Sequence, residues 1–421
     1  NGGGAFLLVY LFFILVFSYV GLPAEFSVGR AAGTGTLGAY EMAWGTRGKK
    51  MGTVGRILGW LPLIGSLCIA IGYAVIVSYV LKALVDSVLG TLMTANTADW
   101  FASFSGSDFS VVPFHIIVVV GTLLTLLLGA KSIELSNKIM MPLFFLIFVV
   151  LAIRVALLPG VSDGYRFMFV PDWSALKNPM VWIWAMGQAF FSLSVTGSGM
   201  ITYGSYVKKD VNLNKAVNQI EFFDTGVALL AGAMIIPAVF VFSGTDGMGA
   251  GPSLMFVSLP KVFAAMGAAG IVVGALFFIS AIFATLTSCI SVLESITANC
   301  MEIFHKDRKK TVLILSVIYL AASAVIALGY SIFYFEVQLP NGSTAQLLDI
   351  MDYISNSVMM PLIALLSTIL IGWVKTPEYV IGEMELGGYA FRRKRVYIVV
   401  IRYIAPIMML ILFLQSTGIL G

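Results

Sequence analysis

Apolar residues in this chain come in long unbroken runs, without the alternating or one-sided patterns of soluble elements. Ten runs of about 18 or more residues lie near 6–29, 58–81, 113–130, 139–158, 180–206, 217–243, 270–300, 311–331, 347–374 and 396–417. A run of that length with few charges predicts a helix that crosses the hydrocarbon core of a bilayer, about 30 Å thick. A shorter apolar stretch at 254–266, flanked by Pro252 and Gly-rich sequence, is too short to cross. It is expected as a hairpin lying against the outer face. The pattern predicts an all-α polytopic membrane bundle, with residues 1–421 forming a single transmembrane domain.

Composition agrees. Of 421 residues, 59% are apolar and 11% are charged, where a soluble globular protein has roughly 45–50% and 25%. Too little polar surface exists to cover a soluble body, so the bilayer is the first partner, and nothing favours nucleic acid. Cys68, Cys289 and Cys300 fall inside apolar segments and read as buried small side chains. The two histidines, His115 and His305, are far apart and suggest no metal cluster. There is no Walker-type phosphate loop and no GxSxG elbow, which removes ATP hydrolysis and that nucleophile chemistry. A gradient-driven carrier or a channel remains, not an enzyme.

Charge orients the runs. Of 25 lysines and arginines, 19 fall in alternate loops: 30–57, 131–138, 207–216, 304–311 and 375–396. The positive-inside rule makes these loops cytoplasmic and the chain a multi-pass protein of the plasma (inner) membrane. Asn1 and the C-terminus are then expected outside. An outside start with no export signal implies a further span upstream of Asn1; a cleaved signal peptide is the competing reading.

Polar interruptions at membrane depth mark cavities or paths, because each costs free energy in hydrocarbon. The fifth run holds Gln188, Ser192 and Ser194, then Val195-Thr196-Gly197-Ser198-Gly199. Two glycines among hydroxyl residues weaken a helix, and a broken helix exposes carbonyls and amides that hold ions or a carboxylate. Close helix packing through small residues is the other reading. Thr285, Thr287 and Ser288 in the seventh run are hard oxygen donors suited to Na⁺, or hydroxyls bonded back to their own helix. Asp224, about two turns into the sixth run, requires a cation, a proton or a partner. Glu294 and Glu302 lie late in the seventh run, with Glu302 close to basic residues 306–310. Asp349 and Asp352 open the ninth run, as helix-dipole partners or as an acidic lid.

These residues carry a resemblance. Asn1-Gly2-Gly3-Gly4-Ala5-Phe6 and Ala24-Glu25-Phe26-Ser27-Val28-Gly29-Arg30 are similar to the beginning and end of the second helix of the neurotransmitter:sodium symporters. The likeness is strongest to the bacterial amino-acid-transporting branch. Gly187-Gln188-Ala189-Phe190-Phe191-Ser192-Leu193-Ser194 and Ile201-Thr202-Tyr203-Gly204-Ser205-Tyr206 resemble that family's broken sixth helix. Leu286-Thr287-Ser288 resembles the sodium-binding part of its eighth. The resemblance implies a five-plus-five inverted-repeat fold of the leucine-transporter type. The ten runs would be family helices two to eleven, with the first helix absent.

It also implies roles. Tyr73 matches the phenol that holds the substrate carboxylate, and Phe191 the aromatic that closes over the substrate. Ser194, Thr196, Gly197 and Val292 match the side-chain pocket. Ser192 and Asp224 match ligands of a first Na⁺; the alignment of Asp224 can also slip by one to Phe223. Thr287, Ser288 and the Ala284 carbonyl match ligands of a second, so two Na⁺ sites are expected in the full-length protein. Asp352 matches an outer-gate acid, and Ser205, Tyr206 and Glu302 the inner gate. Thr196 stands where a glycine is common, and Gly197 where a larger apolar residue is common. The expected function is therefore sodium-coupled symport of amino acids, bulky apolar or aromatic ones, by alternating access. Chloride independence is expected because Val227 and Ala228 stand where chloride-dependent relatives carry a serine. A proton-coupled permease of the same fold is the alternative, disfavoured by the Thr287/Ser288 pair. A channel or a non-transporting scaffold is the reading from another class.

Overall fold

The computed structural model describes residues 2–193, 199–244 and 254–420. Eight of its helices are long and apolar enough to cross a membrane. Twelve helices frame the molecule: α1 (Gly4–Ala32), α2 (Thr36–Gly45), α3 (Trp60–Val88), α4 (Val112–Leu128), α5 (Ala130–Ala156), α6 (Pro179–Ser192), α7 (Gly199–Tyr206), α8 (Leu213–Ser243), α9 (Ala268–Phe304), α10 (Arg308–Ala327), α11 (Leu347–Val374) and α12 (Lys394–Ser416). Each of the ten apolar runs coincides with one of these, except that the fifth is shared between α6 and α7.

The residues at 254–266 form a continuous helix, Leu254–Ala265, and not a hairpin on their own. It turns at Gly267, with φ +65°, directly into α9. Gly270 permits the close return, since a Cβ there would lie 1.7 Å from the Phe263 carbonyl oxygen. The hairpin is thus made with α9, and the apolar side of the short helix is buried against Phe277 and Phe278.

Buried apolar side chains gather in two bodies. One is built mainly by α3, α4, α5, α9 and α10, the other by α1, α2, α6, α7, α11 and α12. Helix α8 contributes to both, through Met234 and Val239 on one side and Leu213 and Val217 on the other. Helix α1 packs along α6, α7 and α8, and α9 packs along α3 and α5.

Glycines set the approach of α1 to α7. A Cβ on Gly29 would lie 2.0 Å from the Ile201 carbonyl oxygen, and one on Gly204 would lie 2.7 Å from that of Phe26. Arg30, at the end of α1, bonds the Glu383 carboxylate at 3.0 Å, the Glu383 carbonyl and the Val211 carbonyl. Arg402, inside α12, is answered the same way. Wide turns in α11 and α12 face one another, and the Arg402 guanidinium donates to the Gly372 carbonyl at 3.0 Å. A guanidinium met by carbonyl and carboxylate oxygens is how a cation is tolerated at such depth.

Candidate ion and substrate site

Helix α6 buries Val181, Ala185, Met186, Ala189 and Phe190 and ends at Ser192. Asparagine 178 starts it, its side chain accepting from the Met180 amide at 3.0 Å. At the other end, Ser192 Oγ donates to the Asp224 carboxylate of α8, with its two oxygens at 3.0 and 2.9 Å. The Tyr10 hydroxyl of α1 donates to Ser192 Oγ at 3.4 Å. Among the described residues, no lysine or arginine forms an ion pair with Asp224. Three elements thus converge on a carboxylate whose side-chain hydrogen-bonding neighbour, among the described residues, is a hydroxyl. Phe223, one position earlier, turns away and packs edge-on against Phe145. A serine that gives its proton to a carboxylate and accepts one phenol keeps a further lone pair for a cation. The unpaired carboxylate supplies the charge that attracts it.

A second group lies on α9. Thr287 Oγ1 donates to the Phe283 and Ala284 carbonyls, both at 2.9 Å, and Ser288 Oγ donates to the Ala284 carbonyl at 3.1 Å. The hydroxyls bond back to their own helix, the structural role weighed above. The same bonds place two hydroxyl oxygens and one carbonyl oxygen within a single turn. Ser288 is exposed although it sits mid-helix, so it faces open space. Tyr73, partly buried on α3, has the Ser288 hydroxyl as its side-chain hydrogen-bonding neighbour. Val292 is half-buried one turn later, at the edge of the core.

Helix α7 is fastened to α9 beyond this. Thr202 and Ser295 hydroxyls are 2.9 Å apart. Tyr206 donates to Glu294 at 3.0 Å, and Arg308 grips the same carboxylate with two nitrogens, one of them at 3.0 Å. Arg308 also donates to the Leu126 carbonyl at 2.8 Å, which ties in the end of α4. Ser205 turns back to the Thr202 carbonyl at 2.6 Å. Glu302 meets neither Ser205 nor Tyr206 in any of these bonds; it accepts from the Gly35 amide at 3.2 Å. Asn299 accepts from the Thr36 amide and hydroxyl at 2.7 and 2.8 Å. Two side chains of α9 therefore cap the first amides of α2, where the helix dipole favours a carboxylate.

At the end of the bundle opposite Arg30, a cleft of about 430 Å³ opens beside α6, lined by Phe191, Gln188, Asn356 and Phe6 among others. Phe191 is 52% exposed there. Asp352 is exposed and accepts from Asn356 Nδ2 at 2.6 Å, which joins the acid to the cleft's lining. Asp349 instead caps α11, accepting from the Gln346 amide at 3.1 Å. Ser194, Thr196 and Gly197 lie outside the described residues.

Sequence reading missed Tyr10 and Arg308 as partners of the site, and gave Glu294 no role. Tyr10 sits in an uninterrupted apolar run with no local signal. Glu294 and Arg308 are 14 positions apart across a chain reversal at His305, whose φ is +50°, so helical spacing could not pair them.

A profile of the sodium:neurotransmitter symporter family matches residues 103–419. A transporter of Bacillus subtilis, YhdH, described as an uncharacterized sodium-dependent transporter, is 32% identical over 100% of this chain and 91% of its own. A second so described, from Haemophilus influenzae, is 30% identical over 99% of this chain and 91% of its own.

The chain belongs to the sodium:neurotransmitter symporter family.

Members are transporters, not enzymes, and sodium dependence is a family property. The crystal structure of MhsT in complex with L-phenylalanine superposes with a TM-score of 0.86, at 34% identity, covering 99% of this chain and 92% of that one. The fold of this family member is accordingly the leucine-transporter-type helix bundle.

Proposed function

We propose that this chain couples inward movement of Na⁺ to the uptake of an amino acid, by alternating access. The observation that carries the reading is the Ser192–Asp224 contact, a carboxylate without a basic partner bonded by the hydroxyl that ends a helix. The first Na⁺ is assigned to Ser192 and Asp224. The second is assigned to Thr287, Ser288 and the Ala284 carbonyl. The substrate carboxylate is assigned to Tyr73, which shares the neighbourhood of Ser288. Phe191 closes over the substrate from the cleft, with Asp352 above it. Ser194, Thr196, Gly197 and Val292 shape the side-chain pocket. Phenylalanine in the complex of MhsT supports an amino acid substrate, and Gly197 supports a bulky apolar or aromatic one. Asp224 brings a fixed negative charge to the ion site, so chloride is not required. Ser205, Tyr206 and Glu302 belong to the gate on the side of the basic loops, which is assigned to the cytoplasm.

Uptake into proteoliposomes tests this. Replacing Na⁺ by choline at fixed pH is expected to abolish uptake of a labelled aromatic amino acid; persistence driven by a proton gradient would transfer the chain to the proton-coupled class. Excess glycine or alanine is expected to compete poorly, and replacing chloride by gluconate is expected to change little. A strict chloride requirement would reject the charge-balance argument.

A further inference from the structure

A cavity of about 320 Å³ lies away from the transport site, between α1, the start of α8 and the segment leading into α12. Tyr19 and Pro23 line it from α1, Asn218 from α8, and Phe391, Arg392 and Arg393 from the connecting segment. The Arg393 guanidinium is stacked on the Tyr19 ring, its central carbon 3.8 Å from the centroid. Glu221 is the acidic group beside it, with Ser18 and Tyr19 hydroxyls as its other polar neighbours. Lys394 is engaged elsewhere, 2.7 Å from Glu385, and its hydrogen bond holds that carboxyl below the usual range. Arg392 is exposed and, among the described residues, forms no ion pair. Two guanidinium groups thus line the cavity and no carboxylate does; Glu221 neighbours Arg393 alone of the two, leaving a net positive cavity. Stacking fixes the plane of Arg393, which favours a phosphate accepting two parallel hydrogen bonds.

An exposed apolar ridge on α1 leads up to Tyr19 of the cavity. Leu8, Phe12 and Leu15 of α1 are 48%, 53% and 49% exposed. Their spacing of four and three residues puts them on one face of the helix, and the next step of four reaches Tyr19. A free anion has no use for such a ridge, whereas an acyl chain does. We infer that the cavity holds the headgroup phosphate of an anionic phospholipid, with one acyl chain lying along Leu8, Phe12 and Leu15.

The test uses the full chain, delipidated in detergent and titrated with phosphatidylglycerol or phosphatidylcholine. Native mass spectrometry reads binding, and thermal melting reads stabilisation. Phosphatidylglycerol is expected to bind more tightly and to raise the melting temperature. Arg392→Gln and Arg393→Gln are each expected to weaken it about fivefold, the scale for one basic residue at an anionic surface. Arg395→Gln removes the same charge from the same basic run without touching the cavity lining, and is expected to leave binding unchanged. Three results overturn the inference. They are equal weakening by Arg395→Gln, unchanged affinity in the cavity variants, or full stabilisation by millimolar inorganic phosphate in phosphatidylcholine. If Arg393→Gln fails to fold because Glu221 loses its neighbour, Arg392→Gln, at an exposed position, decides alone.

Discussion

At the scale of single residues, Asp224 is the group whose environment is least balanced. Among the described residues its side-chain hydrogen bonds come from Ser192 alone, which is why a cation is assigned to it. Asp224→Ala is expected to raise the Na⁺ concentration for half-maximal binding by about tenfold or more, at least the lower end of the cost of damaging a metal-site group, with helix content retained by circular dichroism. Unaltered Na⁺ affinity would remove Asp224 from the ion site. Tyr10→Phe deletes one long, neutral hydrogen bond to Ser192. It is expected to weaken Na⁺ binding about fivefold at most, in line with about 1 kcal/mol for such a bond. Isothermal titration of the purified protein separates the two effects. That Ser192 and Asp224 need partners was legible in the sequence, because a carboxylate and a hydroxyl in hydrocarbon need a reason. That Tyr10 joins them was not, since a tyrosine in an apolar run is ordinary.

At the scale of elements, α7 is held against both α1 and α9. Glycines bring it against α1, and the Tyr206–Glu294–Arg308 cluster fastens it to α9. Gly204→Ala pushes a methyl into the Phe26 carbonyl. Overpacking of this kind costs about 1–3 kcal/mol, so the melting temperature is expected to fall by several degrees; no change would mean that α1 and α7 part freely. Glu294 is 2% exposed, and removing its cation leaves a buried charge. Arg308→Gln is therefore expected to destabilise by about 3 kcal/mol or more, and adding Glu294→Gln is expected to recover most of the loss. A double-mutant cycle on thermal stability measures this; independent, additive effects would deny the coupling. Glu302 teaches the same lesson from the other side. Its nearness to residues 306–310 suggested an interfacial charge and the family resemblance an inner gate; the structure adds a bond to the Gly35 amide.

At the scale of the whole molecule, two apolar bodies share α8. Their orientation in the membrane is argued from charge. The loop around Lys209 and the β-hairpin of Val337–Gln338 and Thr344–Ala345 are assigned to opposite sides. With Cys68, Cys289 and Cys300 replaced by serine, Lys209→Cys is expected to react with a membrane-impermeant maleimide only after permeabilisation. Asn341→Cys, at the hairpin turn, is expected to react in intact cells. The reverse pattern would invert the topology.

The chain by itself determined the number of apolar runs, the sorting of basic residues between alternate loops, and the places where polar groups interrupt a run. These follow from hydrocarbon thickness and from the cost of charge within it, and both act on a stretch of chain regardless of what lies beside it. Only the tertiary structure decided which interruptions meet. Ser192 reaches Asp224 across 32 positions, Tyr10 reaches Ser192 across 182, and Arg30 reaches Glu383 across 353. It also joined the 254–265 helix to α9 and sent Glu302 to the cap of α2. Such pairings depend on how helices cross, and crossing is set by glycine contacts and side-chain volume summed over two whole bodies, which no single stretch of sequence contains.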